Sequence, residues 1–147
     1  MSDNSNFPLS GIRVLDLTTV LFGPYTTQIL GDFGADVIKI EAPGGDPVRH
    51  LGPARNSGMG ALFLGSNRNK RSIVLDLEHD SSHRSILAQL LSTCDLLVEA
   101  TPSGYLDNLG LLYLYMYILQ AQMLSLILLQ IISYFSPCAI ILLNIFL

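Results

Sequence analysis

Four short β-prone runs, separated by longer segments, constrain the fold of this chain more than any other feature. The runs occupy residues 12–17, 36–41, 72–77 and 96–99, and a long connection rich in proline and glycine follows the second run. Strands that alternate with amphipathic helices are typical of right-handed crossovers in a parallel sheet. The sequence therefore predicts an α/β fold, and ligands of such sheets bind beyond the carboxyl ends of the strands.

A helix is predicted between the first two runs. Proline suits the start of a helix, so the helix is expected to run from Pro24 to about Phe33. Gly34 is placed to end it in a left-handed conformation. The apolar residues that fall on one face at helical spacing are Tyr25, Ile29, Leu30 and Phe33.

A second helix is predicted between the last two runs, capped by Asp80 or Ser81 and extending through Ser92. The helices are expected to cover the apolar centres of the strands, which would form the core. These centres are Val14, Leu15, Val37, Ile38, Val74, Leu75, Leu97 and Val98.

Charge divides the chain sharply, because residues 108–147 contain no Asp, Glu, Lys, Arg or His. The sequence therefore predicts a flexible N-terminus over residues 1–8, a folded region over residues 9–110 and an apolar, helical tail over residues 111–147. The tail is long enough to span a bilayer, which needs roughly 20 residues, but no basic residue flanks its C-terminal side. A translated intron or frameshift, a membrane anchor and a buried apolar helix all remain open.

Several classes of function are disfavoured by composition and motifs. The net charge of −4 argues against a nucleic-acid binder. Neither a dinucleotide fingerprint nor a P-loop is present. Cys94 and Cys138 offer no paired framework, which favours a reducing compartment. His79 and His83 share a helical spacing, but no further ligands are paired with them by spacing, so we expect no metal site.

A basic cluster precedes the third run, with Arg68, Lys70 and Arg71 in the segment NRNKRS. Lysine and arginine can hold phosphate oxygens through charge-assisted hydrogen bonds. A solvated basic turn is the alternative reading of the same residues.

Three blocks of this sequence resemble the N-terminal signature of family III CoA-transferases. They are GDFGADVIKIE at residues 31–41, which Gly23-Pro24-Tyr25 precedes, PGGDPVR at residues 43–49 and NRNKRSIVLDL at residues 67–77. The resemblance covers about residues 9–111. Within the family, the third block most resembles the branch that uses dicarboxylates, such as succinate–hydroxymethylglutarate CoA-transferase.

The resemblance implies a Rossmann-like large domain, of which this chain would hold a part, and an interlocked homodimer in intact relatives. It implies coenzyme A or acyl-CoA as a substrate, a carboxylic acid as the second substrate, and no tightly bound cofactor. Relatives attack the thioester with an aspartate and form covalent intermediates. The resemblance leaves the compartment open between cytoplasm and mitochondrion.

The resemblance also implies that coenzyme A would contact three stretches of this sequence. The first would line the pantetheine end, the second would lie near the nucleotide, and the third would approach the adenine and ribose phosphate. In that order, the residues are Val20, Leu21, Gly23 and Pro24; Ala42 and Pro43; and Asn69, Lys70 and Arg71.

In relatives the catalytic aspartate lies downstream of the matched region. We therefore expect a truncated CoA-transferase-like chain with no catalytic residue of its own. Two alternatives are a membrane-attached, non-catalytic module that binds coenzyme A or a partner, and a fragment similar to α-methylacyl-CoA racemase.

Overall fold

A computed structural model of the chain describes residues 7–111 and 140–143. These residues contain a five-stranded sheet with the order β3-β2-β1-β4-β5. The strands are β1 (Arg13–Leu17), β2 (Asp36–Glu41), β3 (Lys70–Val74), β4 (Leu96–Glu99) and β5 (Ile140–Leu143). The helices are α1 (Phe22–Asp32), α2 (Ala61–Ser66), α3 (Ser81–Leu91) and α4 (Tyr105–Asn108), and a 3₁₀ helix (Pro47–His50) precedes α2.

The first four strands are parallel, as predicted, and β1 pairs with both β2 and β4. Alternate residues of β1 face opposite sides of the sheet. Leu15 packs in a cluster with Leu87 and Leu91 of α3, whereas Val14 packs in a second cluster with Leu30 of α1. The helices therefore cover both faces, and the carboxyl ends of the four parallel strands meet at one edge.

The predicted core is confirmed except at Val74. Leu75 is buried, with 3% of its surface exposed, but Val74 is 54% exposed. The third strand begins and ends earlier than the predicted run, and it lies at the edge of the sheet next to β2 alone. An edge position leaves part of a strand's side chains in solvent, which explains the exposure of Val74.

The first helix forms close to its predicted position, but of its predicted apolar face only Leu30 packs against the core. The buried residues of α1 are Pro24, Thr27 and Gln28, whereas Tyr25 is 52% exposed. A polar contact accounts for this orientation of α1, because the hydroxyl of Thr27 donates a hydrogen bond of 2.6 Å to the buried carboxylate of Asp16. Contact with a buried charge on β1 therefore decides which side of α1 faces the sheet. The other three residues of the predicted face, Tyr25, Ile29 and Phe33, are exposed.

The predicted C-terminal end of α1 and the predicted start of α3 are confirmed. Gly34 follows α1 with φ +99°, and the side chain of Asp80 accepts a hydrogen bond from the amide of Ser82 at the start of α3. These caps satisfy groups that a helix cannot pair internally.

The predicted helical tail is wrong for residues 140–143, which form β5 and pair antiparallel to β4. The remainder of the tail after Leu111, and residues 1–6 of the predicted N-terminus, lie outside the described residues. Within the described parts of the chain, no helix has the length and apolar character needed to cross a membrane.

Candidate functional site

A cavity of about 590 Å³ lies at the carboxyl edge of the sheet. Each of the four parallel strands contributes to it through its end or the loop that follows. This is the edge at which parallel sheets bind ligands, as the sequence predicts. Residues from all four connections line the cavity: Leu17, Thr19, Ala42, Pro43, Leu77 and Thr101.

The polar side chains that line this cavity are carboxylates, hydroxyls and the imidazole of His79. Asp76 and Glu78 follow β3, and Tyr105 of α4 closes the opposite side. Burial, and then the charge of Glu78, raises the pKa of the Tyr105 phenol, which therefore stays protonated. Among the described lining residues none is lysine or arginine. The cavity is therefore suited to apolar and hydroxyl-bearing groups.

The loop that joins β1 to α1 borders this edge and has an unusual backbone. Val20 has φ +71°, a left-handed conformation that a β-branched residue rarely adopts. Its side chain is 48% exposed. A strained backbone of this kind persists only where surrounding contacts hold it in place, and it is common at binding sites.

Two buried ion pairs lie directly beneath this loop. Lys39 Nζ is 2.9 Å from Asp46 Oδ2, and Lys70 Nζ is 2.8 Å from Asp16 Oδ2. All four side chains are almost fully inaccessible, with exposed fractions of 0–2%. Burial opposes ionisation of Asp16, but Lys39 and Lys70 outweigh it and lower the pKa of this carboxyl. Asp16 is therefore held as a carboxylate.

A third charged group anchors the long connection after β2. Arg49 donates two hydrogen bonds of 2.6 Å to the two carboxylate oxygens of Glu41, and its guanidinium stacks 3.7 Å from the centroid of Phe63. Ser72 also donates to Glu41. This cluster fixes residues 42–60 against the sheet, which positions Ala42 and Pro43 at the cavity.

The predicted binding residues fall into separate places. Ala42 and Pro43 line the cavity. Val20 lies in the strained loop, Leu21 takes the position before the first residue of α1, and Gly23 and Pro24 are in its first turn.

The third predicted stretch lies elsewhere. Asn69 and Arg71 line a second cavity of about 470 Å³, at the amino edge of the sheet, where Arg71 pairs with Asp36. Lys70 is buried, and its ammonium donates to Asp16, to the carbonyl of Pro24 and to the side chain of Asn67. An ammonium has three donors, so those of Lys70 are fully engaged. Contact of this stretch with phosphate stays a prediction.

Reasoning from the sequence missed the cavity residues Leu77, Glu78, Thr101 and Tyr105. The signal was available for the first three, because Leu77 ends the third run, and Glu78 and Thr101 follow the third and fourth runs at the carboxyl edge. Tyr105 carried no such signal, since α4 brings it to the cavity through tertiary packing.

The model of CoA-transferase family III matches residues 9–135. The chain belongs to this family. The match extends past residue 110, where the sequence predicted the family region to end, and that boundary stays a prediction.

Known relatives carry transferase names. Succinyl-CoA:glutarate CoA-transferase of Mus musculus is 46% identical over 107 residues, which are 72% of this chain and 24% of the mouse protein. The beta subunit of succinyl-CoA–L-malate CoA-transferase from Chloroflexus aurantiacus is 41% identical over 73% of this chain and 26% of its own length. This chain therefore spans about a quarter of the length of the curated relatives it matches.

A solved structure supports the fold assignment. The crystal structure of a CAIB/BAIF family protein from Brucella suis superposes with a TM-score of 0.71 at 38% identity, over 77% of this chain and 31% of that one.

Proposed function

We propose that this chain forms the coenzyme A-binding region of a CoA-transferase that moves coenzyme A between a dicarboxylic acyl-CoA and a second carboxylic acid. The observation that carries the proposal is the cavity at the carboxyl edge, which the predicted nucleotide residues Ala42 and Pro43 line. The names of the mouse and Chloroflexus relatives, which both include succinyl-CoA, support the choice of a dicarboxylic donor.

In this proposal the adenosine part of coenzyme A occupies the cavity. Its adenine would lie against Pro43 and Leu77, and the carboxylate of Glu78 could accept hydrogen bonds from ribose hydroxyls. The phosphates would face the open mouth, because the described lining residues include no lysine or arginine. The pantetheine arm would pass along the loop that contains Val20.

We further propose that the described residues bind coenzyme A but supply no nucleophile. The carboxylates near the sheet are engaged in ion pairs, helix caps or hydrogen bonds to backbone amides, which removes them as attacking groups. The engaged residues are Asp16, Asp32, Asp36, Asp46, Asp76, Asp80 and Asp95.

The two alternatives have less support. The relatives named above are transferases rather than racemases. The tail on which the membrane-attached alternative rests lies outside the described residues, apart from Leu111 and residues 140–143. The transferase family therefore remains the best account of the cavity.

The test is a comparison of two Ala→Trp variants of the full chain, by calorimetry with coenzyme A. Ala42 is exposed and lines the cavity, so Ala42→Trp fills the space proposed for the nucleotide without disturbing the core. Ala61 is also exposed but lies at the start of α2, outside the lining residues. We expect Ala42→Trp to weaken binding at least tenfold and Ala61→Trp to leave it unchanged. Equal affinities in the two variants would refute this location.

A further inference from the structure

Four buried charges contact the backbone of the loop between β1 and α1 or of the first turn of α1. Asp16 accepts from the amide of Thr18 at 2.9 Å, and Lys39 donates to the carbonyl of the same residue at 2.7 Å. Asp46 accepts from the amide of Val20 at 3.3 Å. Lys70 donates to the carbonyl of Pro24 at 2.7 Å.

The four side chains carry two positive and two negative charges, so the cluster is neutral as a whole. They come from β1, β2, the connection after β2 and β3, which are distant in the sequence and adjacent in the sheet. Burying four charges is costly unless they are paired and hydrogen-bonded. An apolar core would fill the same space at lower cost, which indicates that the cluster has a role besides stability.

The backbone of Val20 identifies that role. A β-branched residue at φ +71° has a strained backbone, which relaxes unless its neighbours hold it. Asp46 accepts a hydrogen bond from the amide of Val20, and Lys39 contacts both Asp46 and the carbonyl of Thr18, two residues before Val20. Gly23 packs so closely on Thr18 that no Cβ fits between them, which holds the loop from the other side.

From this geometry we infer that Lys39 and Asp46 are positioning residues, which hold the strained loop in the conformation that receives the pantetheine arm of coenzyme A. The inference rests on the proposed function and adds that two sets of residues act on different parts of coenzyme A. The cavity recognises the nucleotide, whereas the charge cluster acts through Val20 on the pantetheine arm alone.

The test measures two ligands on the full chain, coenzyme A and adenosine 3′,5′-bisphosphate, which lacks the pantetheine arm. In the variant Lys39→Met with Asp46→Ala, both charges are removed together, so that no unpaired buried charge remains. We expect coenzyme A to bind about tenfold more weakly, as the loss of two backbone hydrogen bonds suggests, and adenosine 3′,5′-bisphosphate to bind unchanged. A loss shared equally by both ligands, or absent from both, would overturn the inference.

A rescue variant separates positioning from support of the fold. Lys39→Met with Asp46→Asn restores an oxygen that can accept from the amide of Val20, so coenzyme A affinity is expected to recover in part. Arg13→Met, which breaks a partly exposed ion pair with Asp36 at the opposite edge, serves as the control and is expected to change neither affinity. No recovery in the rescue variant would also count against the inference.

The outcome for the unmodified chain distinguishes this inference from the proposed function. A chain that binds neither ligand refutes the proposed function. A chain that binds coenzyme A no more tightly than adenosine 3′,5′-bisphosphate retains the nucleotide site but refutes the role of the loop.

Discussion

The buried side chain of Gln28 in α1 is expected to lower the stability of the fold. Only 1% of its surface is exposed, and neither its amide nitrogen nor its amide oxygen has a hydrogen-bond partner among the residues that the structure describes. A buried polar group without a partner costs about 1–3 kcal/mol. Its neighbour Thr27 is buried as well, but its hydroxyl is bonded to Asp16.

Replacing Gln28 with methionine therefore tests whether this cost is real. Gln28→Met keeps the side-chain volume and removes the unpaired groups, so we expect the free energy of unfolding to rise by about 1 kcal/mol. Thr27→Val is the matched control and is expected to lower it by about 1–2 kcal/mol. Urea denaturation of the full chain measures both. A loss of stability in Gln28→Met would mean that a group outside the described residues pairs with the amide.

The carboxyl group of Glu41 makes the stability of the fold depend on pH. Burial by itself raises the pKa of this carboxyl, but hydrogen bonds from Arg49, Ser72 and the amide of Asp46 outweigh burial and lower the pKa from 4.5 to about 2. The folded state therefore binds a proton less readily than the unfolded state. The resulting stabilisation is complete above about pH 4.5 and is lost as the pH falls from there towards 2.

The corresponding variant is Glu41→Gln, which cannot titrate. We expect the wild-type chain to lose on the order of 2 kcal/mol more stability than the variant between pH 5 and pH 2.5, a value reduced for solvent screening. Urea midpoints across this range provide the measurement. Parallel curves for the two proteins would show that Glu41 titrates normally in the folded state.

At the scale of elements, the four parallel strands followed from the sequence, whereas β5 and the orientation of α1 did not. A run such as residues 36–41 predicts β2 well, because it is rich in the β-branched residues Val37, Ile38 and Ile40. The buried face of α1 is set by Asp16, a residue on another element, and hydrophobic spacing carries no information about that contact. The same limit explains Val74, since the sequence does not reveal which strand lies at the edge.

The candidate site was also only partly predictable from the sequence. The position of the cavity followed from strand order, and the resemblance supplied Ala42 and Pro43. The burial of Lys70 could not be foreseen, because a lysine in a basic segment normally remains solvated. Only the folded sheet brings its ammonium onto Asp16.

The junction between the loop and α1 can be tested with two Gly→Ala changes. A Cβ at Gly23 would lie 2.4 Å from the Cβ of Thr18, whose backbone Asp16 and Lys39 hold, so neither residue can move freely. We expect Gly23→Ala to destabilise the fold by about 1–3 kcal/mol. Gly65 lies in α2 with nothing within 4 Å of its added Cβ, so Gly65→Ala is expected to stabilise by about 0.5–1 kcal/mol. Thermal denaturation compares the two, and effects of the same sign would contradict the close approach.

At the scale of the whole molecule, the described residues combine an accessible cavity with carboxylates that are already engaged. Transfer of coenzyme A requires a carboxylate within attack distance of the thioester carbon, in a site from which water is excluded. Asp16 and Asp46 are excluded from water but are locked in ion pairs, whereas Asp107 on α4 is exposed. We therefore propose that the described residues contribute to binding and not to the chemical step.

The 147-residue chain by itself is accordingly expected to bind coenzyme A without transferring it. The assay is exchange of isotope between labelled succinate and succinyl-CoA at high protein concentration, with mouse succinyl-CoA:glutarate CoA-transferase as the positive control. We expect no exchange above the uncatalysed rate, because each buried carboxylate would have to leave its cation before it could attack. Asp16→Asn and Asp46→Asn should therefore leave the exchange rate at the same background. Exchange that a single Asp→Asn change abolishes would identify that aspartate as the nucleophile and show that the cavity and the chemistry reside in the same short chain.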